Sequence, residues 1–357
     1  MEQPIRSLPE VSRSEPSDGL PWIAAAGLSA AALFAAAKLA GRIHRPQVSL
    51  RGKVALITGG SRGLGLALAE EFGTLGCRLA LCARDQQELD NAVTSLRSRG
   101  FEAAAFPCDI TKEETLDQLL AHVIAHFGTI DILVNDAGLI KISPIENLQH
   151  GDFEEAMNLM FWAPVNLTLK VLPHFQRQGS GHIVNITSVG GRVAVPHLLP
   201  YCCAKFAMVG FSTGLSAELD PTRIHVLTVT PGLMRTGSYL NAEVKGNHEK
   251  EFAWFSLVGN MPGLTVSAKE AATSIRNALQ RREQICTISL PAKLLIHSEA
   301  LLPEATRVMM QIVKTYLLPT ASGSSDSLPG KAVNSRFGAV FQALTTLGRT
   351  AGRSLNQ

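Results

Sequence analysis

Aromatic side chains are scarce in this 357-residue sequence, at 6% against 46% hydrophobic residues overall. Apolar content that is mostly aliphatic suits a Val/Ile/Leu/Ala-rich parallel sheet covered by helices, and it excludes disorder for most of the chain. An excess of one charge is also missing. The formal net charge is +3, and no long Lys/Arg run is interleaved with aromatics, so nucleic acid is not expected as a partner. The six cysteines, Cys77, Cys82, Cys108, Cys202, Cys203 and Cys286, show no paired CxxC spacing. Neither a metal site nor a disulfide scaffold follows, and reduced, mostly buried thiols in a cytosolic setting are expected.

The length admits one α/β domain of about 250 residues with extensions. Residues 1–19 are polar, with Glu2, Arg6, Glu10, Arg13, Glu15 and Asp18, and read as a disordered leader. Residues 20–37 carry no charge, and as a helix they would span about 27 Å, close to a bilayer core. Residues 20–41 are therefore a membrane-anchor candidate, although a cleaved signal or an interfacial helix has a similar composition. Lys38, Arg42, Arg45, Arg51 and Lys53 follow without an acid between them. The positive-inside rule then places the main domain on the cytoplasmic face of a membrane, or simply in the cytoplasm if no anchor forms.

From Lys53 onward short apolar runs alternate with helical periodicity: VALIT, a helix over 64–75, RLALCA, a helix over 86–99, AAAFPCDI, a helix over 113–127, then IDILVNDAG. HIVNITS (182–188) and IHVLTVTPG (224–232) continue the pattern, which closes near TISL at 287–290. This beat predicts a Rossmann-like, doubly wound parallel sheet of the α/β class over residues 50–290. Within 291–320, the stripe Ala305, Val308, Met309, Ile312, Val313 and Tyr316 predicts a helix that packs on the core or covers the substrate as a lid. Residues 321–357 read as a flexible linker (SGSSDSLPG) and a basic amphipathic tail, suited to an anionic membrane, to docking on the domain or to disorder.

The chemistry concentrates in two places. Residues 58–65, TGGSRGLG, follow a buried strand and open a helix. Gly59, Gly63 and Gly65 allow close backbone approach, and the helix N-terminus offers free N–H groups to a diphosphate. At the end of the second strand stands Ala83 instead of an acid, followed by Arg84, with Arg62 inside the glycine loop. Two guanidinium groups can converge there on a 2′-phosphate, favouring NADP(H) over NAD(H). Asp85 would favour NAD(H) if it reached the ribose; otherwise it caps the next helix. Further on, Tyr201 and Lys205 form YxxxK, and residues four apart share one helix face. Ser188 ends a strand thirteen residues before Tyr201, and Asn158 lies in an earlier helix.

Taken together, TGxxxGxG, NDAG (135–138), Ser188, YxxxK and Asn158 resemble the short-chain dehydrogenase/reductase family over about residues 50–290. The resemblance implies a cofactor set of Thr58, Gly59, Ser61, Arg62, Gly63, Leu64, Gly65, Arg84, Asp109, Asn135, Ala137, Gly138, Tyr201, Lys205, Pro231, Gly232 and Thr236. It implies that Asp109 meets the adenine and Thr236 the nicotinamide carboxamide. The motif departs from the family's NNAG at Asp136, a change expected to touch strand packing more than binding. In the implied chemistry Tyr201 supplies a proton, Ser188 steadies the carbonyl oxygen, and Lys205 holds the ribose and draws the phenol pKa down. Asn158 orders a relay water. Hydride-accepting carbonyls need such donors because negative charge develops on oxygen.

The expected function is NADPH-dependent interconversion of a carbonyl and an alcohol on a small lipophilic substrate. A silent NADP(H)-binding sensor on the same fold is the alternative. Tyr239, Phe252, Trp254, Phe255 and Met261, in the family's variable loop, point to an apolar substrate unless they pack on one another. His197 is expected to pack its loop or touch substrate. By analogy with the family, a homodimer or tetramer is expected.

Overall fold

The computed structural model describes residues 47–219, 222–321 and 324–357. The expected leader (1–19) and membrane-anchor candidate (20–41) lie outside them. Among the described residues no helix is long and apolar enough to cross a membrane.

The chain runs β1 (Val54–Thr58), α1 (Gly63–Thr74), β2 (Arg78–Ala83), α2 (Gln86–Ser98), β3 (Ala103–Pro107), α3 (Glu113–Phe127) and β4 (Ile132–Asn135). A second run follows with β5 (Lys141–Ile142), α4 (His150–Met157), α5 (Ala163–Gln178), β6 (Gly181–Ile186), α6 (Leu199–Leu219) and β7 (Ile224–Pro231). Then come β8 (Leu233–Arg235), β9 (Glu243–Gly246), α7 (His248–Val258), β10 (Thr265–Ser267), α8 (Ala268–Gln280) and β11 (Ile285–Ile288). The last elements are α9 (Leu290–Leu301), α10 (Pro303–Tyr316), β12 (Ser324–Pro329), α11 (Gly330–Asn334), α12 (Ala339–Leu344) and α13 (Thr346–Ser354).

Seven strands form one sheet in the order β3-β2-β1-β4-β6-β7-β11, with every pairing parallel. Strand side chains alternate between faces, and here both faces are buried. Ala55, Ile57, Leu79 and Leu81 pack with Phe72, Leu89 and Ile275 on one side. Val54, Leu56, Ala80 and Cys82 pack with Leu116, Val123, Leu167 and Phe175 on the other. Local signals set the helix ends: Asp85 caps α2 by accepting the Glu88 N–H, Ser267 and Glu270 cap α8 reciprocally, and Gly128 ends α3 at φ 84°.

Chain order reverses between β1 and β4, and in open α/β sheets the crevice at that reversal holds ligands. A smaller sheet has the order β12-β9-β5, with β5 the next strand after β4 in the chain. It is tied to α4 by buried charges: Asp152 accepts from Lys141 at 2.7 Å and from Lys245 at 2.8 Å.

Two expectations for the later residues are corrected. The stripe on α10 does not pack into the core, for Val308, Met309, Ile312 and Tyr316 are exposed and none of them lines the central cavity. Helical periodicity reports an apolar face but not what it meets. Ser324–Pro329, read as a linker, is a strand paired antiparallel with β9. Its Ser-rich composition gives no strand signal, and the free edge of β9 supplies the pairing. Beyond it, Phe337 and Phe341 stack with ring centroids 4.0 Å apart and cover Phe252. Of the three readings of the tail, docking on the domain is the one seen.

Candidate active site

A cavity of about 990 Å³ opens along the reversal of the sheet, lined from the glycine loop at one end to Ser188, Tyr201 and Lys205 at the other. Thr58, Gly65 and Asn135, expected to hold cofactor, lie beneath its wall instead of on it. Thr58 Oγ1 donates to the Val134 carbonyl and accepts the N–H groups of Asp136 and Ala137, so it braces β1 against the end of β4. Asn135 donates to Asn185 Oδ1 at 2.8 Å and to Thr168. Gly65 lies so near the turn that a Cβ there would stand 2.3 Å from the Gly59 carbonyl oxygen. All the other expected residues line the cavity: Gly59, Ser61, Arg62, Gly63, Leu64, Arg84, Asp109, Ala137, Gly138, Asn158, Pro231, Gly232 and Thr236 join the Ser188, Tyr201 and Lys205 end.

At the adenosine end the expected pair of guanidinium groups is not free as a pair. Arg62 Nη1 bonds Glu88 Oε1 at 2.8 Å, and Ser61 Oγ donates to the same carboxylate. Glu88 was not singled out in the sequence because its reach to the loop depends on how α2 packs. Arg84 is exposed at the rim, and Asp85 is committed to capping α2. Asp109 turns its carboxylate to the N–H and hydroxyl of Thr111.

At the other end β6 delivers Ser188, and α6 presents Tyr201 and Lys205 one turn apart. Two glycines absent from the expected set, Gly190 and Gly191, make this possible. A Cβ on Gly191 would lie 2.5 Å from the Lys205 carbonyl oxygen, and one on Gly190 would lie 3.2 Å from the Tyr201 ring. The Gly-Gly pair after Ser188 was the available signal. The Ser188 hydroxyl, which accepts the Gly190 N–H at 3.0 Å, favours the ionised form of Tyr201. Lys205 Nζ donates to the Ile186 carbonyl at 2.8 Å and lies 5.8 Å from the centre of the Tyr201 ring. Asn158 stands at a π-helical turn, Asn158–Trp162, whose extra residue re-aims the chain between α4 and α5.

The electrostatics differ from expectation in two ways. Desolvation pushes the Tyr201 phenol up to about 12, outweighing the Ser188 hydrogen bond, so Lys205 does not bring it toward neutrality. Asp136, expected to matter for packing alone, lines the cavity and interacts with both groups. Desolvation raises its carboxyl, against the pull of Lys205 and the Gly65 N–H. Desolvation lowers Lys205, and Asp136 opposes that shift. Removing the Asp136 charge therefore lets both Lys205 and Tyr201 lose protons at lower pH. Asp136→Asn is expected to move the alkaline limb of the pH–rate profile for reduction toward lower pH; steady-state rates across about pH 6–10 would show this. An unmoved limb would show that Asp136 is electrostatically silent.

His197 packs its loop: Nδ1 meets the buried Glu251 carboxylate at 2.9 Å, and Glu251 also accepts from Trp254. The aromatic argument for an apolar substrate is corrected as well. Tyr239 and Phe252 are buried in a satellite core with partly buried Trp254 and Phe255, Met261 is exposed, and none of the five lines the cavity. Of the apolar lining, Leu139, Ile140 and Leu159 pack in the same clusters as Tyr201.

A glycine turn opening a helix at the crevice, with a Ser/Tyr/Lys cluster across from it, defines a dinucleotide-dependent oxidoreductase. The family profile described as short chain dehydrogenase matches residues 53–245. A fatty acyl-CoA reductase of Acinetobacter baylyi is 31% identical over 266 residues, covering 74% of this chain and 85% of that one. Among solved structures, a short-chain dehydrogenase from Streptomyces avermitilis superposes with a TM-score of 0.62 at 28% identity, covering 73% of this chain and 97% of that one. A variant of the actinorhodin polyketide ketoreductase with NADPH superposes with a TM-score of 0.59 at 29% identity, covering 66% and 95%. The chain belongs to the short-chain dehydrogenase/reductase family, and it is an enzyme that acts on CH–OH groups.

The site fits a nicotinamide dinucleotide: the loop bears glycines where a Cβ would meet backbone, and the cavity runs from loop to phenol. When bound, the dinucleotide supplies or accepts the hydride. Gly59 and Gly63 would be the residues that let its diphosphate approach the backbone at the start of α1. Tyr201, protonated at neutral pH, has a proton that it would give to a carbonyl oxygen, and the Ser188 hydroxyl would offer that oxygen a second hydrogen bond. Lys205, fixed by the Ile186 carbonyl, holds positive charge beside the phenol. Oxidation of an alcohol requires the phenolate, so its rate should climb with pH.

Proposed function

We propose that the protein is an NADP(H)-preferring carbonyl reductase acting on a lipophilic substrate. The observation that carries this reading is one continuous cavity with the Ser188/Tyr201/Lys205 cluster beside apolar Leu139, Ile140 and Leu159 at one end and Arg84 at the far rim. Arg84 is the guanidinium available to a 2′-phosphate, while Ala83 leaves no acid to hold an adenosine ribose. A relative named a fatty acyl-CoA reductase supports a long acyl carbonyl as the substrate class.

NADPH absorbance followed over a panel of long-chain aldehydes and ketones tests the reaction. Absence of turnover across the panel, with NADPH bound, would favour the sensor alternative. For the cofactor, Arg84→Ala should raise the Kd for NADPH by about tenfold and leave NADH within about twofold, the loss expected for one charge-assisted contact. Equal losses would remove the 2′-phosphate argument.

The same reading extends to location and assembly. Residues 20–41 tether the catalytic domain to a membrane, with the domain on the cytoplasmic side; the cations after Ala37 support this. Association as a homodimer or tetramer follows by family analogy.

A further inference from the structure

The segment after α13 reaches the glycine loop. Gly63 is the first residue of α1, so its N–H is one of the donors a helix leaves free for an anion. In the structure that N–H donates to the Leu355 carbonyl at 2.9 Å. Asn356 Nδ2 donates at 3.0 Å to both the Ser61 carbonyl and the Glu88 carbonyl, bridging the loop to α2. Gln357 lines the cavity, accepts from Asn241, and rests on the bare face of Gly63, where a Cβ would stand 2.6 Å from its Nε2. The chain turns into this position through Asn356 at φ 57°, a left-handed conformation that asparagine tolerates better than most residues. Leu355 is buried in the core beside α1 and anchors the turn.

We infer that residues 355–357 are a tethered competitor for the dinucleotide's diphosphate, occupying its backbone donor and the space over Gly63 until the cofactor displaces them. This rests on the nicotinamide-dependent reading of the site. The carbonyl of Leu355 and a phosphate oxygen seek the same N–H, and one hydrogen cannot serve both well. Cofactor binding then includes the free energy of releasing the segment, so the apparent Kd exceeds the intrinsic one by the reciprocal of the fraction of molecules in which the segment is already displaced. A ligand that uses the adenosine end alone, without a diphosphate, escapes this penalty.

The test measures binding to the full chain by titration calorimetry, with NADPH and with adenosine 2′-monophosphate. In the double variant Leu355→Asp, Asn356→Ala, the Kd for NADPH should fall about tenfold, while the Kd for adenosine 2′-monophosphate stays within about twofold. Asn356→Ala alone, which keeps the buried anchor, should lower the NADPH value by about threefold and serves if the double variant unfolds. An NADPH Kd that is unchanged or raised in the single variant overturns the inference and makes the segment a strut for the loop. Failure of the unaltered chain to bind either NADPH or NADH overturns the dinucleotide reading itself, and the inference with it.

Discussion

Tyr201→Phe is expected to lower turnover about 10³-fold while NADPH binding stays within about twofold, since a positioned proton donor contributes roughly 10²–10⁴. The ring and its packing survive the change; only the hydroxyl is lost. Single-turnover NADPH oxidation and a binding titration on the same sample separate the two effects. Because the phenol is pushed up to about 12, the wild-type group keeps its proton throughout the neutral range. Reduction should therefore be flat in pH until Lys205 loses its charge, whereas oxidation should rise. Near-full activity in the variant would place the proton donor elsewhere.

Asp152→Ala is expected to destabilise the protein by about 3–5 kcal/mol, the usual result of leaving a buried charge, here Lys245, without its partner. Both carboxylate oxygens are used, one by Lys141 and one by Lys245, and all three side chains are buried. Desolvation works against the Asp152 carboxylate, but the hydrogen bonds from Lys141 and Lys245 outweigh it and hold its pKa below the ordinary value. With a folded pKa below the unfolded one, this stabilisation is present above the carboxylate range and lost as pH falls through it. Urea unfolding at pH 7 and at lower pH reads both effects, with Glu155→Ala, a more exposed partner of Lys141, as a control expected to lose about 1 kcal/mol or less. A loss that small for Asp152 itself would mean that water reaches the cluster.

The reacting groups were legible in the sequence because their geometry is local. One helical turn separates Tyr201 from Lys205, one strand-to-helix turn carries Gly59 to Gly65, and short continuous apolar runs mark β1, β2 and β4. What was hidden depends on contacts far apart in the chain. Nothing near Glu88 says that it will take Arg62, and nothing near Asp136 says that it will face Lys205 and Tyr201. The α10 stripe has the same periodicity as a core helix, so only the fold shows it exposed. The tail was hidden for the same reason, since the pairing of Ser324–Pro329 with β9 and of Asn356 with the glycine loop are settled by tertiary fit over serine- and glycine-rich composition.

The bond between Asn356 and Ser61 joins residues 295 positions apart. At a synthesis rate of about 5–20 residues per second, roughly 15–60 s pass between the appearance of the one and of the other. During translation the glycine loop exists for that interval with no Leu355, Asn356 or Gln357 to contact it. A dinucleotide arriving in that interval would meet a loop whose Gly63 N–H has no Leu355 carbonyl to hold it.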